Sequence, residues 1–278
     1  MGLKFTKMHG LGNDFMVIDG VNQTLNLSSD IITQLADRHT GIGFDQCLIV
    51  EESHKKNIDF LYRILNADGS EVGQCGNGAR CLARFIHLKK LSTKKTVTVA
   101  TSTSVMDLTI NDDDSVSICL PAPEFSPDAL PMLNTQQDFY QVAFQEQPIP
   151  FNALSVGNPH AVIRVENIED SPVNELGHFL CHHPIFPQQA NIGFMQLLNK
   201  HHMKLRVFER GAAETMACGS GAIAAAVSAI AFHGADAPMT VDLPGGKLTI
   251  HWQKPRGKIT LTGAATFVYE GELCESSF

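Results

Sequence analysis

Asn66-Ala-Asp-Gly-Ser-Glu71-Val-Gly-Gln-Cys75-Gly-Asn-Gly-Ala79 and Glu209-Arg-Gly-Ala-Ala-Glu214-Thr-Met-Ala-Cys218-Gly-Ser-Gly-Ala222 are two versions of one stretch. At an offset of 143 residues (218 minus 75), Glu71 falls on Glu214, Cys75 on Cys218, and both Cys-Gly-x-Gly-Ala runs coincide. The run before each copy, residues 58–65 and 201–208, alternates apolar and polar side chains as a strand does, and the run after each has helical spacing. Each cysteine therefore sits where a helix begins. The repeat reaches further: Gly12-Asn13 matches Gly157-Asn158 and Gln46 matches Asn191, at an offset of 145 (158 minus 13). A chain of 278 residues is long for one core and suits two domains of about 140 each. The expected architecture is α+β, with two pseudo-symmetric domains from an internal duplication. Each is a mixed sheet wrapped around a central helix, and the active site lies in the cleft between them. The expected domains are residues 1–118 with a returning C-terminal strand at 264–278, and residues 119–263.

Read in order, strands are expected at 4–8 and 15–19 around a turn, then a helix from Ser28 or Ser29 to about Arg38. Strands follow at 46–51, 58–65, 96–100, 105–110 and 116–120, and a helix carries Ala79, Leu82, Ala83 and Ile86. Asp112-Asp-Asp114 reads as an exposed turn. Pro121, Pro123, Pro127 and Pro131 mark a connector. The second half offers strands at 152–156, 161–165, 191–197 and 201–208, an irregular or helical region at 170–182, and a helix over 220–232 that is apolar nearly all round, so buried. Gly234 ends that helix, Pro244-Gly-Gly246 turns a hairpin between 240–243 and 247–252, and one last strand runs from Ile259 through Tyr269.

Composition bounds the function. Apolar residues make up 44% and charged residues 18%, an ordinary globular mixture. A net charge of −8 without any basic run argues against a nucleic-acid partner. The longest apolar run, 222–232, is far short of a membrane span, and the N-terminal segment lacks the apolar stretch of a signal peptide. Seven cysteines at irregular spacing do not form a secreted disulfide pattern, so a reducing cytoplasm is the expected home.

The chemistry follows from the repeat. A helix N-terminus has unpaired N–H groups and about half a positive charge, which stabilises a thiolate and lowers its pKa toward neutrality. Glycine after the cysteine lets a ligand approach the backbone. Two such sites put a base on one face of a substrate carbon and an acid on the other. That suits inversion α to a carboxylate, one thiolate taking a proton while the opposite thiol returns one. Cys47, Cys81, Cys119, Cys181 and Cys274 are expected to pack as small hydrophobes. No C-x-x-C or H-E-x-x-H motif offers a metal site, and no metal is expected. His160, after Gly-Asn-Pro, is a candidate for tuning a thiol. Glu209-Arg210 reads either as a surface ion pair or as a carboxylate clamp.

These motifs closely resemble the diaminopimelate epimerase family. The matching elements are His9-Gly-Leu-Gly-Asn-Asp-Phe15, Gly43-Phe-Asp-Gln46, Asn66-Ala-Asp-Gly-Ser-Glu71, Cys75-Gly-Asn-Gly-Ala-Arg-Cys81, Gly157-Asn-Pro-His160, Ala190-Asn-Ile-Gly193, Glu209-Arg-Gly211 and Cys218-Gly-Ser-Gly-Ala222. The resemblance implies a cofactor-independent epimerase of lysine and peptidoglycan precursor biosynthesis that interconverts LL- and meso-diaminopimelate, in a fold of two domains meeting at a cleft and usually as a homodimer. It implies that Cys75 and Cys218 are the acid–base thiols, with His160 and Glu209 adjusting their proton affinity. Gly76-Asn77 and Gly219-Ser220 would hold the reacting end's carboxylate. Asn13, Gln46, Asn66, Asn158, Asn191, Glu209 and Arg210 would bind the rest of the substrate, and Tyr269 would make a dimer contact.

The chain departs from the family pattern at Ala213, where glycine is common, at Ser102-Thr-Ser104, which lacks the usual turn glycine, and at Ile223. These departures bear on loop geometry rather than on chemistry. Related alternatives are a proline or hydroxyproline racemase, which also uses a thiol pair, and the isomerases that resemble phenazine-biosynthesis proteins, which do not need both cysteines. A thiol redox or binding protein is the non-enzyme alternative, and a pyridoxal-phosphate enzyme fits poorly.

Overall fold

The computed structural model describes residues 2–133, 135–255 and 257–274. Its first elements are β1 (Leu3–Gly10), β2 (Asn13–Asp19), α1 (Ser29–Ala36), β3 (Gln46–Glu52), β4 (Phe60–Asn66), β5 (Glu71–Val72), α2 (Gly76–Leu88), β6 (Thr96–Ala100), β7 (Val105–Ile110) and β8 (Val116–Leu120). There follow β9 (Tyr140–Phe144), β10 (Gln147–Ser155), β11 (Pro159–Arg164), α3 (Val173–Cys181), β12 (Asn191–Asn199), β13 (His202–Glu209), β14 (Ala213–Thr215), α4 (Gly219–Phe232), β15 (Met239–Leu243), β16 (Gly246–Trp252), β17 (Ile259–Gly263) and β18 (Thr266–Leu273). The chain divides into two compact units, Met1–Ile118 with Gly263–Phe278, and Cys119–Thr262. Residues 275–278 of the expected return strand lie outside the described residues.

The two units repeat one pairing scheme. In the first, β1 and β2 are antiparallel, β2 and β3 parallel, β3 and β4 antiparallel, β4 and β6 parallel, and β6 and β7 antiparallel. In the second, β10 and β11 are antiparallel, β11 and β12 parallel, β12 and β13 antiparallel, β13 and β15 parallel, and β15 and β16 antiparallel. Register is kept as well, since Phe15 pairs with Gln46 and His160 with Asn191. The left-handed glycine before each binding asparagine also recurs, with φ of 89° at Gly12 and 98° at Gly157.

Each sheet is covered on both faces. In the first unit α2 packs on β1, β2, β3 and β7. On the other face, Ile32 and Leu35 of α1 join Met16, Ile18, Cys47 and Ile49 in a single cluster. Two-sided cover explains why Phe15–Ile18 and Cys47–Val50 are buried without a break instead of alternating. In the second unit α4 packs on β10 through β13, and residues 221–230 are all buried. α3 covers the opposite face with Val173, Leu176 and Leu180 among Phe194, Ile192 and Phe208. Among the described residues, no helix is long and apolar enough to cross a membrane.

Several expectations need correction. The last strand is two, β17 and β18, interrupted at Ala264-Ala265. The segment after the proline-rich connector contains the hairpin β9–β10, which Pro148 and Pro150 concealed. Those prolines occupy the part of β10 that pairs with β9, before it joins β11 at Asn152. β5 and β14 are short strands inside what read as loops. Cys119 and Cys274 are exposed, not packed. Cys119 falls on the outward side of β8, between buried Val116 and Ile118 and half-buried Leu120.

Two of the three family departures behave differently. The turn at 101–104 needs no glycine, because Thr101 N–H donates to Ser104 O at 2.8 Å and the Thr101 and Ser104 hydroxyls bond at 3.0 Å. Ala213 sits at φ of 60°, a left-handed conformation that costs a β-carbon about 1 kcal/mol. Ala213→Gly is therefore expected to raise the unfolding free energy by roughly 0.5–1 kcal/mol in chemical denaturation. A destabilised variant would show that the alanine methyl contributes more than its backbone strain costs.

Candidate active site

Both quoted cysteines are the N-cap residues of long helices. Cys75 (φ −154°, ψ 102°) precedes α2 and Cys218 (φ −117°, ψ 109°) precedes α4, each in extended conformation. The sulfur itself caps the helix. Gly78 N–H donates to Cys75 Sγ at 3.3 Å, and Gly221 N–H to Cys218 Sγ at 3.3 Å. This accounts for the second glycine of each Cys-Gly-x-Gly run. A β-carbon at Gly78 would lie 2.4 Å from Tyr62 Oη and 3.2 Å from Cys75 Sγ. One at Gly221 would lie 2.9 Å from Val207 Cγ2 and 3.2 Å from Cys218 Sγ. Around Gly76 an added β-carbon would meet nothing within 4 Å, so the first glycine faces open space.

A duplicated ion pair fixes the approach to each cap. Arg63 of β4 bonds Glu71 of β5, with Nη2 to Oε2 at 3.0 Å. Arg206 of β13 holds Glu214 of β14 in a fork, at 2.6 and 2.9 Å. The signal for these pairs was present in the repeat, since Arg63 and Arg206 share the 143-residue offset (206 minus 63) of the glutamates. A side chain on one strand and its partner eight residues later staple the short strand that delivers the cysteine.

In the first unit the polar candidates converge on Cys75. Asn13 Oδ1 lies 3.9 Å from Cys75 Sγ, and Asn77 Nδ2 lies 3.5 Å from that same oxygen. Asn13 Nδ2 donates to Asp45 at 2.8 Å, which leaves its carbonyl directed at the sulfur. Asp45 is bonded to Arg38, and Arg38 also grips Asp14. With Arg38 and Lys7 both bonded to it, Asp14 is held well below the usual carboxylate range despite partial burial. Gln46 Nε2 donates to Asn66 Oδ1 at 2.9 Å, and Gln46 Oε1 is buried without a partner. A buried unmatched amide oxygen at a candidate binding residue is what an amino group of a ligand would satisfy. Tyr269 is exposed and touches Phe5 edge-on at 6.1 Å.

In the second unit Cys218 is the centre. Its thiol donates to Glu209 Oε2 at 2.9 Å, and Thr215 donates to the other carboxylate oxygen at 2.5 Å. Ser220 Oγ lies 3.6 Å from the sulfur and accepts from Asn158 at 3.4 Å. Asn158 Oδ1 in turn lies 3.1 Å from His160 Nε2. Asn191 links His160 to the Arg210 backbone N–H, while the Arg210 guanidinium donates to Gln188 O. Arg210 and Glu209 do not form the surface pair considered above, because Glu209 is committed to Cys218 and Thr215. His160 is buried and uncharged. Burial, with Arg210 nearby, lowers its pKa to about 3. Its Nδ1 has no partner. It reaches Cys218 only through Asn158 and Ser220.

The expected pKa of Cys218 is reversed. Burial first, and then the Glu209 carboxylate, push this thiol well above its ordinary value, outweighing the Ser220 and Gly221 hydrogen bonds. A helix terminus is worth about 0.3–2 kcal/mol to a charge, whereas desolvating one costs several. Cys218 therefore rests as a thiol. Among the described residues, no cluster of three or more His, Cys, Asp or Glu side chains is arranged to hold a metal ion. A surface cavity of about 580 Å³ lined by Lys4, Asp19, Gln23, Lys89 and Glu270, among others, includes none of the candidate residues.

The structural neighbours share this duplicated fold. A phenazine biosynthesis protein of Bacillus anthracis matches with a TM-score of 0.69 at 17% identity, covering 99% of each chain. A hydroxyproline epimerase of Agrobacterium vitis matches at 0.67 and 13% identity, covering 98% of this chain and 92% of that one. The fold is thus one shared with a phenazine biosynthesis protein and a hydroxyproline epimerase. Within it, the family model described as diaminopimelate epimerase matches residues 5–121 and 152–268, the two halves of the repeat. Diaminopimelate epimerase of Legionella pneumophila is 55% identical over 275 residues, 98% of this chain and 99% of that protein. That of Azotobacter vinelandii is 53% identical with the same coverage. The chain belongs to the diaminopimelate epimerase family.

Two measurements test the electrostatics. Removing the carboxylate beside Cys218 in Glu209→Gln should lower the pH at which iodoacetamide alkylates Cys218; an unchanged profile would contradict the assigned cause. Folded His160 stays neutral down to about pH 3, while unfolded histidine gains a proton near 6.5. The unfolded state thus binds more protons below pH 6.5, and stability should fall as pH drops from there toward 3. Denaturation midpoints across that window should fall less steeply in His160→Gln.

Proposed function

We propose that this chain interconverts LL- and meso-2,6-diaminopimelate through Cys75 and Cys218. The family assignment makes it an isomerase, an amino-acid epimerase of lysine and peptidoglycan precursor biosynthesis. The observation that carries the residue assignment is the pair of matched helix starts, each capped by a cysteine sulfur. Cys75 takes the α-proton on one face of the substrate carbon as a thiolate, and Cys218, resting as a thiol, returns a proton on the other. The two sulfurs then exchange protonation states. Glu209 is placed to take the Cys218 proton when that sulfur must act as the base. The N–H groups at Gly76-Asn77 and Gly219-Ser220 receive the reacting carboxylate, whose charge rises as the carbanion forms.

The distal amino-acid end is assigned to Asn13, Gln46, Asn66, Asn158, Asn191, Glu209 and Arg210. Neutral amides suit this task because they orient ammonium and carboxylate groups without adding net charge, and Arg210 supplies the cation for a carboxylate. His160 shapes the Asn158–Ser220 side of the pocket rather than touching the thiol. No cofactor enters the scheme. Seven free cysteines suit a reducing cytoplasm. The exposed run Phe267, Val268 and Tyr269 on β18 is assigned to a homodimer contact.

In D2O, reduced protein given LL-diaminopimelate should yield meso product with deuterium at one α-carbon. Cys75→Ala and Cys218→Ala should each lower turnover at least 1000-fold while circular dichroism stays native, and substantial turnover in either would end the two-thiol scheme. Tyr269→Glu should sediment as a monomer, and an unchanged sedimentation coefficient would remove that residue from the contact.

A further inference from the structure

Arg80 is fully buried on the first turns of α2, five residues after Cys75. A guanidinium keeps its proton in proteins, so burial does not neutralise it, and an ion so placed ordinarily has an anionic partner. Among the described residues no carboxylate pairs with it. Its hydrogen bonds go to neutral oxygens: Nε to Ala264 O at 3.1 Å, Nη1 to Gly76 O at 3.5 Å and Nη2 to Asn77 Oδ1 at 3.0 Å. Burial lowers its pKa from the usual guanidinium value, and a thiolate on the same helix would act the other way.

The bond to Asn77 has a direction. With its oxygen occupied by Arg80, the Asn77 amide must present Nδ2 to Asn13 Oδ1, the oxygen beside Cys75 Sγ. Asn13 is fixed from its other end by Asp45. We propose that Arg80 is a positioning residue for Cys75, its buried guanidinium fixing the Asn77 and Asn13 amides beside the sulfur and supplying the positive charge that favours the thiolate against the Asn13 carbonyl oxygen, which favours the thiol. The second unit has no equivalent, because position 223 is isoleucine at the same offset (223 minus 80), and Cys218 faces a carboxylate instead.

Among the described residues, other titratable groups on the surrounding elements have partners of their own or are held neutral, and Arg84 of α2 pairs with Asp114. Lys7 of β1 and Asp14 of β2 are bonded to each other. His9 accepts the Gly12 N–H, and Asp107 of β7 accepts from Thr98. Glu51 of β3 pairs with Arg63. Cys47, Tyr62 and Cys81 are buried, and burial holds each in its neutral form.

The test reads the thiol directly. In a Cys218→Ser background, the rate of iodoacetamide alkylation at Cys75 is followed against pH by peptide mass spectrometry. Arg80→Gln should raise the apparent pKa of Cys75 by about one unit, slowing alkylation at pH 7 about tenfold. In the otherwise unaltered enzyme, Arg80→Lys keeps the cation but cannot span three acceptors. It should leave the alkylation profile within about 0.3 units, lower kcat at least tenfold and change KM less than threefold. A Gln variant that folds and titrates like the parent overturns the proposal. So does full kcat in the Lys variant, which decides alone should the Gln variant not fold. The inference rests on Cys75 being a proton-transferring thiol, but alkylation does not depend on turnover. Failure of the parent to epimerise would count against that assignment and leave the Arg80 result standing.

Discussion

A cysteine sulfur accepting the backbone N–H three residues ahead is the contact on which this molecule is built. It ends the strand-and-turn approach, starts the helix and locates a reactive atom, all with one side chain. The bond requires the third residue to be glycine in both copies, because a methyl group there meets Tyr62 in one unit and Val207 in the other. The helix behind the cap must then be held rigidly. Each sheet does so by wrapping that helix on one face while a shorter helix seals the opposite face. Burial on both sides is what turns a weak local cap into a fixed position for sulfur.

The two caps are alike in backbone and unlike in electrostatics. Cys75 lies beside an amide oxygen, with Arg80 buried further along its helix, and Cys218 meets a carboxylate. At Cys218 desolvation and the neighbouring carboxylate outweigh the helix terminus and keep the proton on sulfur. In the proposed two-thiol inversion one sulfur is protonated and the other is not, a state that unequal neighbours favour more than equal ones would.

Much of this was legible in the sequence because duplication makes coincidence visible. The repeat identified both cysteines, both helix starts and the paired candidates Asn13 with Asn158 and Gln46 with Asn191, and the parallel strand registers follow the same correspondence. Other features resisted a linear reading. The β9–β10 hairpin was hidden by Pro148 and Pro150, whose effect depends on which partner strand lies beside them. The exposure of Cys119 depends on one step of strand register. The proton affinity of Cys218 depends on Glu209, nine residues away in sequence and 2.9 Å away in space. Arg80 looked like one more member of a motif. Only the lack of a carboxylate partner among the described residues singled it out.

The Arg–Glu staples, 63 with 71 and 206 with 214, carry a genetic implication. Identical subunits related by symmetry must accept every substitution twice, so an ancestral half acting as its own partner could not have differentiated its two sulfurs. Two halves carried in one chain are free of that restriction. The staples stayed the same in both copies, while Arg80 and Glu209 differ from their counterparts, Ile223 and Asn66. The scaffold repeats from one half to the other, and the sulfur environments are where the halves differ.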